Sequence, residues 1–290
     1  MKNIIRKIIK HIGYDLVAID PLYSQSKSRK FLELLAVENK QNDDFLLSPI
    51  KVHMFWAYGN LSKLEILCAK SFIQSGYDLL FWSYEKINNL PEGAILRDAG
   101  EILPEHRVFK YQNGSYAGFA DLFRYAVLCK EGGLWADTDV ICLLPMNTLQ
   151  KSSIDSFVVM EETEQGQQLN NNVIYCAHPR AGDIVDLAFA ISDRFDTEKV
   201  RWGDCGPLLL TSLAKTYPNI APVIMEANFA NPVEWWKCPD ILRRTQIYSS
   251  IPSEWGFLHC FNETWRRSGI DKNASYPPGS LLSRIEVMFP

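Results

Sequence analysis

From Leu46 onward, the sequence alternates between short apolar runs typical of β-strands and longer stretches with helical periodicity. Residues 51–58 and 77–84 form strand-like runs. Residues 61–75 between them carry an amphipathic helical pattern that stops at Gly76, as a helix does at a C-cap glycine. Alternation of this kind favours parallel strands joined by crossover helices. We therefore predict an α/β fold with a mostly parallel sheet covered by helices on both faces.

The same alternation continues through the middle of the chain. Helices are predicted over residues 116–129, 182–195 and 207–216, and strands over residues 134–139, 157–160 and 173–176. A polar run at 38–44 is typical of a linker. We predict three parts: an N-terminal basic amphipathic helical segment at 1–45, one α/β domain at 46–267 and a C-terminal tail at 268–290.

The formal net charge of -4 argues against nucleic-acid binding, which usually needs a basic domain. The charge is uneven, because residues 1–30 contain seven basic and two acidic side chains. Residues 1–16 place isoleucines on one helical stripe and Lys or Arg on the other, a pattern typical of a helix lying on an anionic membrane. A terminal helix docked on the domain explains the same pattern, and both interpretations stay open.

The seven cysteines are scattered and form no Cys-x-x-Cys pair, so the sequence favours neither a disulfide framework nor a zinc site. It also lacks a run of about 18 apolar residues that could span a bilayer, and the apolar segment of a signal peptide. We therefore predict a cytoplasmic protein, peripheral on the inner face of the plasma membrane if residues 1–16 bind lipid.

The residues most suited to chemistry lie in the stretch 118–140. Asp121 and Arg124 are three apart in a predicted helix and therefore share a face. A double glycine ends that helix, and the strand that follows leads to Asp137 and Asp139. Side chains alternate along a strand, so these two carboxylates are predicted to point the same way at the edge where open α/β sheets bind ligands.

Two adjacent carboxylates suit Mg²⁺ or Mn²⁺, which keep coordination positions open for a diphosphate. The cation would neutralise the diphosphate as it departs. An isolated Asp-x-Asp is a weak signal, because it also occurs in ordinary surface loops. The surrounding residues therefore decide the interpretation.

Those residues resemble the Asp-x-Asp sugar-binding region of retaining glycosyltransferases of family 32. This group includes yeast-type initiating mannosyltransferases, α-1,4-N-acetylglucosaminyl and galactosyltransferases and bacterial capsule enzymes, and it is similar to the glucosyltransferase domain of large clostridial toxins. The matching elements are Asp121, Arg124, Gly132-Gly133, Leu134-Trp135 and Asp137-Thr138-Asp139. The resemblance continues in order through Lys51–Trp56, Asn172–Ile174, Gly206–Thr211 and His259–Trp265, although Thr264 replaces the more usual Ser.

The resemblance implies a GT-A fold, which has a Rossmann-like sheet, and a metal site. Asp139 would bind the cation directly, Asp137 would contact the cation and the ribose, and His259 would add a neutral imidazole, which suits Mn²⁺ better than Mg²⁺. Taken alone, His259 could equally be a hydrogen-bonded core histidine.

The same resemblance implies roles in binding the nucleotide sugar. Asp121 and Arg124 would hold the donor hexose, and Trp56 would stack on the base, although an apolar core role fits Trp56 nearly as well. Thr264 and Trp265 would donate hydrogen bonds to the diphosphate from a C-terminal flap. Asp204 is a candidate for acceptor positioning or oxocarbenium stabilisation, or alternatively a helix N-cap.

The sequence therefore predicts a metal-dependent retaining glycosyltransferase. It would move a hexose from a UDP-sugar to an oligosaccharide or lipid-linked glycan acceptor in bacterial surface polysaccharide synthesis. Two alternatives remain. One is a toxin-like effector that glycosylates a protein. The other is a haloacid-dehalogenase-like phosphohydrolase, because residues 135–141 approximate the first motif of that family.

Overall fold

The computed structural model describes residues 48–179, 182–243 and 250–290. The N-terminal helix expected within residues 1–16 and the linker expected at 38–44 lie outside these ranges. No helix in the described ranges has the length and apolarity needed to cross a bilayer.

Within the described residues, the centre of the fold is a seven-stranded sheet with the order β3-β2-β1-β4-β7-β6-β8. Its strands are β1 Lys51–Phe55, β2 Asp78–Ser83, β3 Ile95–Asp98, β4 Gly133–Ala136, β6 Ser156–Thr163, β7 Gly166–Cys176 and β8 Val223–Met225. Neighbouring strands pair in parallel except on either side of β7, which runs antiparallel to both β4 and β6. The mostly parallel α/β sheet expected for a GT-A fold is therefore confirmed.

A second, two-stranded sheet lies beside the carboxyl end of β4. It pairs β5 Val140–Cys142 antiparallel with β9 Phe257–His259, and the register places Val140 opposite His259. This pairing brings a residue from the end of the chain next to the Asp-x-Asp segment, 120 positions earlier in sequence.

Helices cover the sheet and the small two-stranded unit. They are α1 Lys63–Gln74, α2 Ala117–Glu131, α3 Met146–Lys151, α4 Ile184–Ser192, α5 Pro207–Thr216, α6 Ala227–Ala230, α7 Cys238–Arg243, α8 Asn262–Arg267 and α9 Leu281–Met288. Phe123 and Trp135 belong to the apolar cluster on one face of the main sheet, and Phe72 and Phe257 to the cluster on the other. The central strands are therefore covered on both faces, which explains the apolar runs of β1, β2 and β4.

The C-terminal residues pack against α1. Leu281 and Ile285 of α9 share an apolar cluster with Leu64 of α1, and the Lys272 ammonium pairs with the fully buried Glu65. Glu65 also accepts a hydrogen bond from the backbone N–H of Ser62, which completes the capping box of α1. The boundary at residue 267 stays a prediction, and the structure places the segment beyond it in contact with the α/β core.

The two glycines after α2 are needed because the backbone of neighbouring segments passes close to them. Gly132 and Gly133 both have positive φ angles, of 68° and 88°. A Cβ at Gly132 would lie 2.7 Å from the carbonyl carbon of His178, and one at Gly133 would lie 2.6 Å from the carbonyl oxygen of Lys51. A larger residue at either position would separate β4 from its neighbours and displace the Asp-x-Asp segment that follows.

The strand predicted over residues 134–139 is shorter than expected. It ends at Ala136, and residues 137–139 form a turn in which the N–H of Val140 donates to the carbonyl oxygen of Asp137 over 3.0 Å. The two aspartates therefore converge because of a turn, and the i, i+2 alternation of a strand was the wrong reason. The strands β3, β5, β8 and β9 were missed as well, because they have three or four residues each and no clear alternation.

Candidate active site

The predicted functional residues meet at the carboxyl end of β4. Helix α2 supplies Asp121 and Arg124, the turn after β4 supplies Asp137 and Asp139, and strand β9 supplies His259. Four of these five side chains are buried, and Asp137 is a quarter exposed. Open α/β sheets bind their ligands at this edge.

Asp137 is oriented from two sides through one of its carboxylate oxygens. Its Oδ1 accepts a hydrogen bond from the Trp135 indole Nε1–H over 2.8 Å and lies 3.1 Å from Arg124 Nη1. Its backbone N–H donates to the carbonyl oxygen of Asn172 over 2.8 Å. Oδ1 is thus held by the protein, which directs the other oxygen of this partly exposed carboxylate toward a ligand.

Asp139 and His259 form a buried pair on the other side of the turn. Asp139 Oδ1 lies 3.5 Å from His259 Nε2, and Asp139 Oδ2 accepts the backbone N–H of Asn262 over 2.8 Å. Burial opposes ionisation of Asp139, but the His259 ring and the Asn262 N–H outweigh it and lower its pKa. The pair therefore keeps a carboxylate and an imidazole in contact within the protein.

Asp137, Asp139 and His259 can hold a divalent cation. One ligand atom from each of the three lies within 4.8 Å of the other two. Two carboxylate oxygens and an imidazole nitrogen suit Mn²⁺ or Mg²⁺, and the imidazole favours Mn²⁺. Burial raises the pKa of Asp137, although Arg124 opposes that rise, so an added positive charge would stabilise the ionised form. The residues present therefore fit the cation implied by the Asp-x-Asp resemblance.

Arg124 links Asp137, in the turn after β4, to Asp121 on α2. Its Nη2 lies 2.9 Å from Asp121 Oδ1, its Nη1 lies near Asp137, and Nη1 also donates to the carbonyl oxygen of Asn171. The guanidinium stacks over the Trp135 ring at 5.0 Å. A planar group with several fixed donors can satisfy these acceptors together, which a lysine cannot do.

Asp121 lies in a tight polar pocket behind that ion pair. The Asn171 amide Nδ2–H donates to Asp121 Oδ1 over 2.8 Å, and a Cβ at Gly206 would lie 2.7 Å from Asp121 Oδ2. Burial raises the pKa of Asp121 to about 6, even though Arg124 and the Asn171 amide oppose the rise. Ligand hydroxyls that donate to this carboxylate would replace the water that it has lost.

Asp204 precedes α5 without capping it. Gly206 is the N-cap of α5, and the Asp204 carboxylate instead accepts the backbone N–H of Arg201 over 2.9 Å and pairs with the Arg201 guanidinium. The interpretation of Asp204 as the N-cap is therefore wrong, because the helix begins two residues further along the chain, with Gly206 as its N-cap. The role of Asp204 toward an acceptor or an oxocarbenium ion stays a prediction.

Trp56 follows β1 at the same edge of the sheet. It is partly buried against the apolar cluster that contains Phe257, and the Lys272 ammonium lies 5.4 Å from the centre of its ring. Its indole Nε1–H is buried without a hydrogen-bond partner in the described chain. Both the base-stacking role and the core role therefore remain compatible with its position.

Thr264 and Trp265 lie on α8, shortly after strand β9, which carries His259. Thr264 Oγ1–H donates to the carbonyl oxygen of Phe261 over 2.8 Å, and Trp265 is fully buried. The Trp265 Nε1–H has no hydrogen-bond partner among the described residues. The structure thus places both residues beside the site, with the indole inside the apolar cluster of α1 and α9. Their contact with a diphosphate stays a prediction.

Sequence analysis assigned no role to three asparagines that support the site, although Asn172 begins one of the matching elements. Asn171 and Asn172 lie on β7, and Asn231 lies just after α6. All three are buried. The run of asparagines at 170–172 was a usable signal, since asparagine is depleted in strands and three in a row within a buried strand need a reason. Asn231 offered no comparable signal, because it is an isolated residue in a loop.

The comparison with protein families places the chemistry-bearing region in a known class. Residues 62–155 match the model described as "Glycosyltransferase sugar-binding region containing DXD motif". This span contains Asp121, Arg124, Asp137 and Asp139. The class of protein defined by the site is therefore a glycosyltransferase with an Asp-x-Asp sugar-binding region, and the phosphohydrolase alternative is set aside.

Solved structures similar to this chain are also glycosyltransferases. The "PaToxG Glycosyltransferase" structure is 17% identical, with a TM-score of 0.40, over 74% of this chain and 79% of that chain. The apo-form of glycosyltransferase GlyE from Streptococcus pneumoniae TIGR4 is 14% identical, with a TM-score of 0.44, over 78% of this chain. This chain covers 61% of the length of that GlyE chain. No curated protein matches the sequence.

Proposed function

We propose that this glycosyltransferase is metal-dependent and retaining. It moves a hexose from a UDP-sugar to a hydroxyl of an oligosaccharide or lipid-linked glycan acceptor, in the synthesis of a bacterial surface polysaccharide. The observation that carries the proposal is the convergence of Asp137, Asp139 and His259 within 4.8 Å, beside the buried Asp121–Arg124 pair.

Each part of the site has a proposed task. Asp137, Asp139 and His259 hold the cation, which supplies positive charge to the departing diphosphate. Arg124 keeps Asp137 and Asp121 at a fixed separation. Asp121 accepts hydrogen bonds from donor-sugar hydroxyls, and its partial desolvation strengthens those bonds.

The environment of the nearby carboxylates favours front-face transfer over double displacement, the two routes that retain the anomeric configuration. A double displacement needs a carboxylate free to attack the anomeric carbon. Asp121 accepts hydrogen bonds from Asn171 and Arg124, and Asp204 is held by Arg201. We therefore propose front-face transfer, in which the acceptor hydroxyl forms its bond to the anomeric carbon on the face from which UDP departs.

The test is a panel of UDP-hexoses, their N-acetyl forms and a UDP-uronic acid, incubated with Mn²⁺ or EDTA and assayed for UDP release. NMR of the transferred sugar reports the anomeric configuration. We expect Asp139→Asn to lose metal-dependent turnover by at least 100-fold, because the asparagine keeps the shape of the side chain but not its charge. The matched control is Asp78→Asn, at the exposed amino end of β2, which should keep wild-type turnover.

The outcomes separate the parts of the proposal. Wild-type turnover in EDTA would refute metal dependence, and an inverted product would refute front-face transfer. Supplying lipid-linked glycans and proteins as competing acceptors tests the acceptor class, and transfer to protein would favour the toxin-like alternative.

A further inference from the structure

The side chain of His259 is fixed by a partner on the side of the ring away from Asp139. His259 Nδ1 lies 3.1 Å from Asn231 Oδ1, while Nε2 faces Asp139 at 3.5 Å. Asn231 is only 3% exposed. The hydrogen position on the ring therefore depends on which end of the Asn231 amide faces it.

The orientation of the Asn231 amide follows from its other contacts. One end lies 2.8 Å from the backbone carbonyl oxygen of Met160, and a carbonyl oxygen can only accept hydrogen bonds. That end must be the NH₂ group. The oxygen of the amide therefore faces His259, where it also accepts a hydrogen bond from Asn172 Nδ2 over 3.0 Å.

Asn172 is itself held by a series of hydrogen bonds to neighbouring residues of β6 and β7. Its backbone N–H donates to Asn170 Oδ1 over 2.8 Å, and Asn170 Nδ2–H donates to Glu161 Oε2 over 2.6 Å. Gln168 donates to the other oxygen of Glu161, also over 2.6 Å. These groups are buried, so water does not compete for the donors and acceptors. Asn172, which donates to Asn231, is thus held in place by buried hydrogen bonds within β6 and β7.

The imidazole of His259 has one tautomer compatible with this network. Asn231 Oδ1 can only accept, so Nδ1 carries the hydrogen. In the neutral ring that ligates a cation, Nε2 then supplies the free lone pair, and Nε2 is the atom on the side of Asp139. A metal-ligating histidine needs this arrangement, because the hydrogen bond at one ring nitrogen selects the other as the ligand.

We propose that Asn231 is a positioning residue that fixes the Nδ1–H tautomer of His259 and so makes the site selective for cations that accept a nitrogen ligand, Mn²⁺ over Mg²⁺. This inference rests on the metal dependence proposed above. It adds a residue from outside the Asp-x-Asp region and a cause for the choice of metal.

The first test measures metal binding directly. Mn²⁺ is titrated into the full-length protein without nucleotide, and free Mn²⁺ is measured by electron paramagnetic resonance. Mg²⁺ affinity is measured by competition. We expect Asn231→Leu to weaken Mn²⁺ binding by about 10–100-fold and Mg²⁺ binding by a smaller factor, since removal of an outer partner of a metal ligand has effects of this size. Asn231→Asp should retain Mn²⁺ binding, because a carboxylate still accepts the Nδ1 hydrogen.

The comparison of the two variants separates positioning from a structural role. Both lose the donor to Met160, so a merely structural asparagine would lower metal binding in both variants together with the melting temperature. A positioning asparagine predicts loss in Asn231→Leu and recovery in Asn231→Asp. Equal loss in both variants, or wild-type affinity in Asn231→Leu, would overturn the proposal.

A spectroscopic test needs no variant at position 231. The protein has five histidines, so the ¹⁵N signals of His259 can be assigned by comparison with His259→Gln. In the Mg²⁺-loaded wild-type protein we expect a protonated Nδ1 and an unprotonated Nε2. A protonated Nε2 with a bare Nδ1 would overturn the proposal even if Asn231→Leu does not fold.

The metal dependence can fail separately. If wild-type protein and Asp139→Asn bind Mn²⁺ equally weakly, the proposed metal site is wrong. If wild-type protein binds Mn²⁺ and Asp139→Asn does not, the metal site stands, and the Asn231 variants then test the tautomer alone.

Discussion

The buried guanidinium of Arg124 makes a quantitative prediction for folding stability. Arg124→Met removes the cation between Asp121 and Asp137, which lie 2.9 Å and 3.1 Å from its two terminal nitrogens. Removal of one partner from a buried ion pair costs about 3–5 kcal/mol, because the other charge stays buried without compensation. Arg124 is 3% exposed, so solvent does not screen the loss. We expect the free energy of unfolding to fall by about 3–5 kcal/mol.

A double-mutant cycle identifies the physical cause. In the wild-type background, Asp121→Asn should destabilise the protein by about 1–3 kcal/mol, because it weakens hydrogen bonds to a buried charged group. In the Arg124→Met background, the same substitution removes an unpaired carboxylate, so it should be neutral or stabilising. Urea unfolding followed by tryptophan fluorescence measures all four corners.

The sign change is the decisive result. If Asp121→Asn costs the same in both backgrounds, Arg124 and Asp121 do not interact energetically, and the structural description of the pair is wrong. If Arg124→Met is too unstable to measure, Arg124→Lys serves instead. It keeps the charge but loses the fork that reaches two carboxylates, so we expect an intermediate loss.

Three further predictions concern other parts of the chain. Burial lowers the pKa of His53 to about 4 in the folded protein, so the unfolded chain binds a proton at higher pH than the folded chain does. The free energy of unfolding should therefore fall by about 3 kcal/mol as the pH drops from 6.5 to 4. Urea titrations of His53→Gln should lack this part of the decrease. Gly206→Ala places a Cβ 2.7 Å from Asp121 Oδ2 and should displace that carboxylate, so we expect the KM for the donor sugar to rise. An unchanged KM would place the sugar away from Asp121. Deletion of residues 2–14 should reduce co-sedimentation with anionic liposomes in a salt-dependent manner, and unchanged binding would favour a docked helix.

Much of the fold could be predicted because its strands and helices follow clear periodicities. Helix α5 matches its predicted range, and α1, α2, β1 and β2 fall within a few residues of theirs. These elements each have five or more residues and a continuous apolar face. The shortest strands, such as β5 and β9, have three residues, and their pairing depends on contacts between distant parts of the chain that local patterns do not encode.

The candidate site could be predicted as a set of residues but not as a geometry. The double glycine and the two aspartates define one local turn, so residue types and spacing carry most of its information. The support for that turn comes from elsewhere, from Asn171 and Asn172 on β7 and from Asn231 beyond α6. Sequence spacing does not show which distant amide faces which carboxylate, because that depends on the order of strands in the sheet.

Strand β7 connects the two halves of the candidate site, the Asp121–Arg124 pair and the group of Asp137, Asp139 and His259. Asn171 and Asn172 lie where the register of β7 with β6 shifts, between the pairs Val158–Ile174 and Val159–Asn170. The Asn171 side chain reaches Asp121, and the Asn172 side chain reaches Asn231, the partner of His259. The carbonyl oxygens of the same two asparagines accept from Arg124 and from the backbone of Asp137. Two adjacent residues therefore connect the two halves of the candidate site, and the antiparallel insertion of β7 beside β4 places them next to the carboxyl end of β4.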